Sequence, residues 1–369
     1  MRETDVHHKN GEYLRNELAE ILPVLSKLGF ELEEKQPHLL GERFVMRAIT
    51  TKAGKKLILI GRSRSDNMRV VIKVASDREG ADELEHERVC RRVLGNIRFA
   101  YQIFHSPREI VFVKDGPLTI SVQQFLEQEC TFLERTLQEQ FKLALKAFKA
   151  QESAHATTYA HYQLATRTFG SRAGAEYIKN FESFRSKIAN ELGSDHASTA
   201  LLKTCGELLN EHRDTIEQYA GFLTHTDFVP HNIRIQKNDI YLLDHSSIVF
   251  GNKYEGWARF INFMTLYNPP LESALLQYVR ENRASEETLS LKLMRIYRLG
   301  EIVWFYVDAS TKTSGDLRAL ELRRVEFWCD VLRCVLEDIP LSDKVREAYK
   351  RDRDNLRSSD EKERQVGLH

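Results

Sequence analysis

Between residues 43 and 124 the chain reads as three short strands, one helix and two further strands; from about residue 131 long helical periodicity takes over. Residues 43–50, 56–61 and 69–75 are short, apolar and rich in β-branched side chains, with polar turns at 51–55 and 64–67 between them. Runs of this kind bounded by turn chemistry predict a three-stranded antiparallel meander. Ser76-x-x-Glu79 then has the spacing of a capping box, in which each side chain satisfies a free backbone N–H at a helix start. The helix it opens is expected to reach about Leu94 and to stop at Gly95 and Asn96. Two more strands, 109–114 and 118–124, are expected to pair across Asp115-Gly116. Ahead of the meander, Leu14, Leu18, Ile21, Leu25 and Leu28 recur at helical spacing and predict an amphipathic helix ending near Gly29.

The second half is expected to be helical over 131–165, 172–192, 197–220, 255–267, 271–280, 286–309 and 316–337, with a strand-like interlude at 232–250. Residues 342–366 are dense in charge and poor in large apolar side chains, which predicts a solvated helix or a frayed tail. A chain of 369 residues exceeds the roughly 250–300 that one core serves. The expectation is an α+β protein in two lobes: 1–127 β-rich, 128–341 mainly helical, and 342–369 a charged tail. No internal repeat is visible.

Lys plus Arg equals Asp plus Glu at 54 each, so the formal net charge is zero. That balance leaves no electrostatic footprint for nucleic acid or an anionic membrane. With 42% apolar and 29% charged residues the composition is globular rather than disordered. The five cysteines show no C-x-x-C spacing, which argues against a zinc knuckle or redox pair and fits reduced, mostly buried thiols. The N-terminal residues lack the apolar stretch of a signal peptide, and no run is long enough to cross a bilayer. A cytoplasmic protein is expected.

The stretch that carries chemistry is His225-Thr-Asp-Phe-Val-Pro-His-Asn232, followed by Ile-Arg-Ile, a Gln-Lys-Asn-Asp turn and Ile-Tyr-Leu-Leu-Asp244. It reads as a loop, a tight hairpin, and a carboxylate at the end of an apolar strand. Phosphoryl transfer from ATP needs that combination. One carboxylate orients the attacking hydroxyl and accepts its proton, while an amide oxygen and a second carboxylate hold the Mg²⁺ that screens the phosphates. Asp227 is the candidate base, and Asn232 and Asp244 are the candidate metal ligands. Asp227 and Asn232 have the spacing of the H-R-D-x-x-x-x-N loop, and the hairpin would return Asp244 beside Asn232. His225 reads as a structural brace for the loop.

The first half offers an independent check. Lys73 ends the apolar run Val-Val-Ile-Lys on the third predicted strand, where a lysine would meet the α- and β-phosphates. Of Glu83, Glu85 and Glu87 on the following helix, Glu87 is the expected ion-pair partner and Glu83, one turn earlier, the fallback. The end of the fifth strand, at Gln124, Phe125 and Leu126, is the candidate hinge whose backbone would meet an adenine.

Taken together, these motifs resemble the protein-kinase-like superfamily, and within it the aminoglycoside phosphotransferase and choline kinase branch. His225-Thr-Asp227 through Asn232 stands where that branch has H-G-D-x-x-x-x-N, and Leu243-Asp244-His245 where it has an I/L-D-W-type metal site. The resemblance runs from about residue 43 to 267. It implies a small β-rich N-lobe, a larger helical C-lobe, ATP in the cleft between them and Mg²⁺ as cofactor.

The departures are specific. One glycine, Gly54, stands in place of a glycine-rich loop, so Thr50, Thr51 and the backbone of 52–55 would cover the phosphates. Thr226 replaces a Gly, and His231 a small residue. Gly256, with Glu255 beside it, stands where the branch has a later Asp, which leaves the supporting carboxylate of the site unassigned. Only about ten residues separate Asp244 from the next helix, and no A-P-E follows. A peptide-docking activation segment has no room.

The expected acceptor is therefore a small-molecule hydroxyl, on an amino sugar, sugar or choline-like alcohol. It would bind near residues 297–308 (Glu301, Trp304, Tyr306), with Trp257 as a further candidate. The alternatives are a nucleotide-binding kinase-like protein that acts through partners without catalysis, an atypical protein kinase, and a helical scaffold with no nucleotide. The last leaves Lys73 and the strand pattern unexplained.

Overall fold

The structure is a computed structural model that describes residues 3–39, 56–97, 105–155, 158–237, 239–359 and 362. The expected strand at 43–50 and the phosphate-covering residues 50–55 lie outside the described residues.

Helix α1 (Glu3–Lys27) ends where Gly29 takes φ of 83°, a left-handed conformation that glycine adopts without strain. Its stripe Leu14, Leu18, Ile21, Leu25 and Leu28 packs on the sheet, with Ile21 and Leu25 essentially closed to solvent. The sheet has five antiparallel strands in the order β1-β2-β3-β5-β4. They are β1 (Phe30–Leu32), β2 (Lys56–Ser63), β3 (Arg69–Ala75), β4 (Glu109–Asp115) and β5 (Leu118–Gln124). The edge strand β1 was not expected, since three residues carry too little periodicity to read. Gly116, at φ 57°, makes the tight β4–β5 turn as expected.

Alternation along β3 sorts its side chains: Val70, Ile72 and Val74 enter the core under α1, while Val71 and Lys73 face the opposite side. Helix α2 (Arg78–Asn96) follows. Its cap is Asp77, whose carboxylate accepts from Gly80 N at 2.8 Å, so the expected Ser76 box is displaced by one residue. Asp and Ser cap about equally well, and here the carboxylate takes the position. The helix also runs through Gly95 to Asn96. Its buried Cys90 and Leu94 join a cluster with Ala154, Phe169, Leu223 and Phe250 of the helical half, which ties α2 to that lobe.

The C-lobe begins with α3 (Leu137–Glu152), α4 (Tyr159–Phe169), α5 (Gly174–Leu192), α6 (Ala197–Glu211) and α7 (Arg213–Gln218). The helical stretch expected over 131–165 is divided into two helices. Thr136, with Glu139 three residues on, opens the first as a capping box, and Thr158 caps the second. Two small ribbons follow: β6 (Phe222–His225) pairs with β9 (Ile248–Gly251), and β7 (Ile233–Gln236) with β8 (Asp239–Leu242). Helices α8 (Glu255–Tyr267), α9 (Pro269–Asn282), α10 (Ser285–Lys312), α11 (Gly315–Leu336) and α12 (Asp343–Leu356) complete the lobe.

Helix α12 is one of the two forms expected for this charged stretch, but it is anchored to the lobe rather than wholly solvated. Tyr349 is buried and stacks on Phe327 at 4.0 Å, and Arg346 Nε donates to Thr265 O at 2.8 Å. Val345, Arg346 and Tyr349 turn inward on an otherwise charged helix, too few to stand out as a period in sequence. Among the described residues no helix is long and apolar enough to cross a membrane.

Candidate active site

One cavity of about 960 Å³ lies between the sheet and the helical lobe, at the upper end of the range for a small-ligand site. Lys73, Glu87, Gln124, Phe125, Leu126, Asp227, Asn232 and Asp244 all line it.

On the sheet side Lys73 Nζ donates to both carboxylate oxygens of Glu87, at 2.6 and 2.7 Å. Glu83, one turn earlier, pairs with Lys56 at 2.5 Å instead. The two pairs sit one helical turn apart because Glu83 and Glu87 are four apart on α2, while Lys56 opens β2 and Lys73 lies two residues short of the end of the neighbouring β3. Lys56 is a cavity residue that sequence reading passed over. It opens a strand whose Ile58 also faces the cavity, and that alternation was its signal. Burial alone would raise the Glu87 carboxyl, but the charge and hydrogen bond of Lys73, with Arg91 nearby, hold it below its ordinary value.

On the helical side His225 ends β6, and its Nε2 donates to Leu243 O at 2.9 Å, which fixes the tautomer and ties the loop to the segment before Asp244. Thr226 donates from its N (2.8 Å) and Oγ1 (2.9 Å) to Ser247 O, so the residue in place of glycine fastens the loop from a second side. The β7–β8 hairpin brings the chain back, and Leu243 N donates to Asn232 O at 2.9 Å. Asn232 and Asp244 thereby become neighbours. Asn232 Nδ2 donates to Asp227 at its backbone O (2.9 Å) and Oδ2 (2.8 Å), which leaves the amide oxygen as the atom to offer a cation.

Asp244 sits at φ 56° and ψ 63°, left-handed backbone that an Asp tolerates better than most residues. Ser246 Oγ reaches its Oδ1 at 2.6 Å and Ser247 Oγ its Oδ2 at 2.9 Å. Burial would raise the Asp244 carboxyl, but Ser246, Lys56, Lys73 and His225 together hold it down. His245 beside it is buried, and burial pushes its imidazole down to about 3, so it stays neutral.

Asp227 keeps 37% of its side chain open, toward the cavity it lines. Its Oδ1 receives Arg259 Nε at 3.0 Å and Nη2 at 2.9 Å. Depth in the protein would raise its carboxyl, but Arg259, with His231, His225 and Arg298 behind it, holds Asp227 far below the usual carboxylate range. Arg259 was missed in sequence although α8 spacing marked it: it lies one turn beyond Gly256, on the face that meets the loop.

Gly256 has a packing reason. Its N donates to Thr224 Oγ1 at 2.9 Å, and a Cβ there would lie 2.4 Å from Gln151 Oε1. Gln151 and Thr224 fill the space an Asp would need, and Gln151 Oε1 also faces His225 N at 3.4 Å. Glu255 points elsewhere and is fully buried among Arg172 (2.9 Å), Tyr177 Oη (2.6 Å) and Arg298 (3.3 Å). Gly256→Asp is expected to destabilise the protein by about 1–3 kcal/mol through overpacking. Thermal melting checks this, and an unchanged melting temperature would show that the space is free.

Glu301, Trp304 and Tyr306 do line the cavity. Trp257 does not: it is buried in the core and stacked on Phe148 at 4.0 Å. One helical step past Gly256 turns it away from the loop and into the apolar interior.

No protein-family profile and no curated protein matches this sequence. Solved structures do. A thermostable aminoglycoside phosphotransferase APH(4)-Ia in ternary complex with ADP and hygromycin B is 14% identical with a TM-score of 0.51, over 78% of this chain and 97% of that one. A macrolide 2'-phosphotransferase type I is 12% identical with a TM-score of 0.52, over 82% and 94%. The streptomycin–ATP–APH(2")-IIa ternary complex is 13% identical with a TM-score of 0.50, over 76% and 91%. At such identities the likeness speaks for architecture, and with the sheet, hairpin and cleft described above it means that this chain has the two-lobed protein-kinase-like fold, in the form these antibiotic phosphotransferases share.

Proposed function

We propose that this protein is an ATP-dependent phosphotransferase that moves the γ-phosphoryl group to a hydroxyl of a small molecule. The observation that carries the reading is the convergence of Asp227, Asn232, Asp244 and the Lys73–Glu87 pair on one cavity, each fixed by hydrogen bonds within the protein. The neighbours' bound ADP, ATP and antibiotics agree with it.

In this reading the adenine lies along the Gln124–Leu126 segment. The N–H of Gln124 is engaged by Arg108 O and that of Phe125 by Arg69 O, which directs recognition to the backbone at Leu126. Lys73, oriented by Glu87, meets the α- and β-phosphates, and Lys56 adds a second positive charge on the same wall. Asn232 Oδ1 and the Asp244 carboxylate fit Mg²⁺, a hard cation that takes one or two protein carboxylates and completes its shell with water and phosphate. When bound, that ion supplies charge screening for the transferring group. Asp227 orients the acceptor hydroxyl and takes its proton as transfer proceeds. Its low basicity suits a hydroxyl that loses its proton late, in a loose transition state. A cytoplasmic location, where ATP is available, belongs to the same reading.

The test is incubation with ATP, Mg²⁺ and a panel of small alcohols. Phosphorylated acceptor is expected by mass spectrometry, with an equal amount of ADP. ADP formation no faster than in Asp227→Asn, for every acceptor, would overturn the proposal.

A further inference from the structure

We infer that Arg234 is the surface on which the donor's nucleobase lies, its guanidinium plane stacked against the base. This rests on the phosphotransferase reading and adds a contact to its nucleotide site. Arg259, Arg298 and Arg324, which also line the cavity, each pair with a carboxylate, at 2.9, 2.5 and 2.7 Å. Arg234 lines the same cavity, and among the described residues its hydrogen bonds go to main-chain oxygens only. Its Nη1 donates to His231 O at 3.2 Å and to Ile233 O at 2.9 Å. Burial lowers the pKa of its guanidinium, and no neighbouring acid offsets the shift. An arginine stays charged all the same. A partly buried cation without a carboxylate is costly to keep, and a ligand that covers it recovers part of that cost.

The place of Arg234 in the fold says which part of the nucleotide it meets. Alternation along β7 sends Ile233 and Ile235 into the core and leaves Asn232 and Arg234 on the cavity side. Asn232 marks the metal end, and Arg234 stands two residues further, about 7 Å along the strand. The residues after it reach the chain just beyond Leu126. Ile235 N donates to Gln128 Oε1 at 3.4 Å, and Gln236 Nε2 to Glu127 O at 3.2 Å. Arg234 therefore lies between the metal ligands and the Gln124–Leu126 segment, where the base belongs in this reading. Val71 and Ile58 line the cavity from the sheet side.

A guanidinium is planar and weakly hydrated, and bases stack on arginine planes as they do on aromatic rings. Its charge is also drawn to the π face it covers. The two bonds from Nη1 to nearby carbonyls fix the group in place without an acid. A lysine here would keep the charge and lose the plane.

The experiment is calorimetric titration of the full chain with Mg²⁺–ADP, with adenosine and with Mg²⁺–pyrophosphate, for the wild type, Arg234→Ala and Arg234→Lys. Arg234→Ala should bind ADP and adenosine about tenfold more weakly, the worth of one partly desolvated cation–π contact. Its pyrophosphate binding should stay at the wild-type level. Arg234→Lys should show most of the same loss, and it gives a second readout should the alanine fold poorly. Equal weakening of pyrophosphate and ADP would assign Arg234 to the phosphates and overturn the inference. So would wild-type adenosine affinity in Arg234→Ala, or wild-type ADP affinity in Arg234→Lys. A wild type that binds no nucleotide removes the phosphotransferase reading, and this inference with it.

Discussion

Asp227→Asn is expected to lower turnover by about 10²- to 10⁴-fold, the contribution usual for a positioned acid–base group. The amide cannot accept the acceptor's proton, and it presents an N–H₂ group to at least one of two donors, Arg259 and Asn232, that now point at carboxylate oxygens. Melting with Mg²⁺–ATP separates this from misfolding, because a variant that keeps the nucleotide shift has a formed site. The pH dependence follows from the same contacts. Arg259, His231, His225 and Arg298 outweigh burial and keep Asp227 ionised well below the usual carboxylate range. Its reactive form therefore persists as pH falls from neutrality, and kcat/KM should show no acid limb from this group before the protein itself unfolds. An acid limb near the ordinary Asp value that disappears in Asp227→Asn would contradict the assignment.

Glu87→Ala is expected to cost about 3 kcal/mol, the low end for breaking a buried ion pair, because Lys73 keeps contact with the cavity. For a chain of 369 residues melting as one unit that is a fall of roughly 4 °C in melting temperature. The alanine leaves a buried ammonium without the carboxylate that accepts both of its hydrogen bonds. Glu83→Ala should cost less, since Glu83 is more open to solvent. Removing both partners in Lys73→Met/Glu87→Leu should recover much of the loss, because a matched apolar pair has no stranded charge.

The linkage has a definite sign. Glu87 titrates below its ordinary value of 4.5 in the folded protein. Its stabilising contribution is thus complete above that value and is lost as pH falls through the lower folded one. A Glu87→Ala protein that melts like wild type at neutral pH would show that the pair holds nothing in place.

The parts of this fold that could be read from sequence are those where a local rule and the tertiary structure agree. The α1 stripe, the β4–β5 turn at Gly116 and the alternation of β3 each announce themselves over several residues. Lys73 and Glu87 were findable because strand alternation and helical spacing both point at one cleft. What escaped was short or shared. Strands β1 and β6 have three and four residues, less than a pattern needs. Ser76 and Asp77 compete for one cap, and sequence alone does not choose between neighbours of similar capping strength. Helix α12 is held by Val345, Arg346 and Tyr349, with Asp352 paired to Arg323, a set too sparse to read as a period. In the site, Gln151 meets Thr224, His225 and Gly256 from a distant part of the chain, and such long-range contacts leave no period in sequence. Trp257 was misplaced because one step along a helix decides between cavity and core.

The central claim is that Asn232 and Asp244 hold a cation against a nucleotide bound beside Lys73. Its most direct test is the melting temperature of the wild type and of Asp244→Ala, each with ATP alone, Mg²⁺ alone and both together. The account predicts that ATP with Mg²⁺ stabilises the wild type more than either component alone, and that Asp244→Ala, though folded, loses the Mg²⁺-dependent part of the shift. A folded wild type that no nucleoside triphosphate stabilises, or an Asp244→Ala protein with the full Mg²⁺-dependent shift, would contradict it.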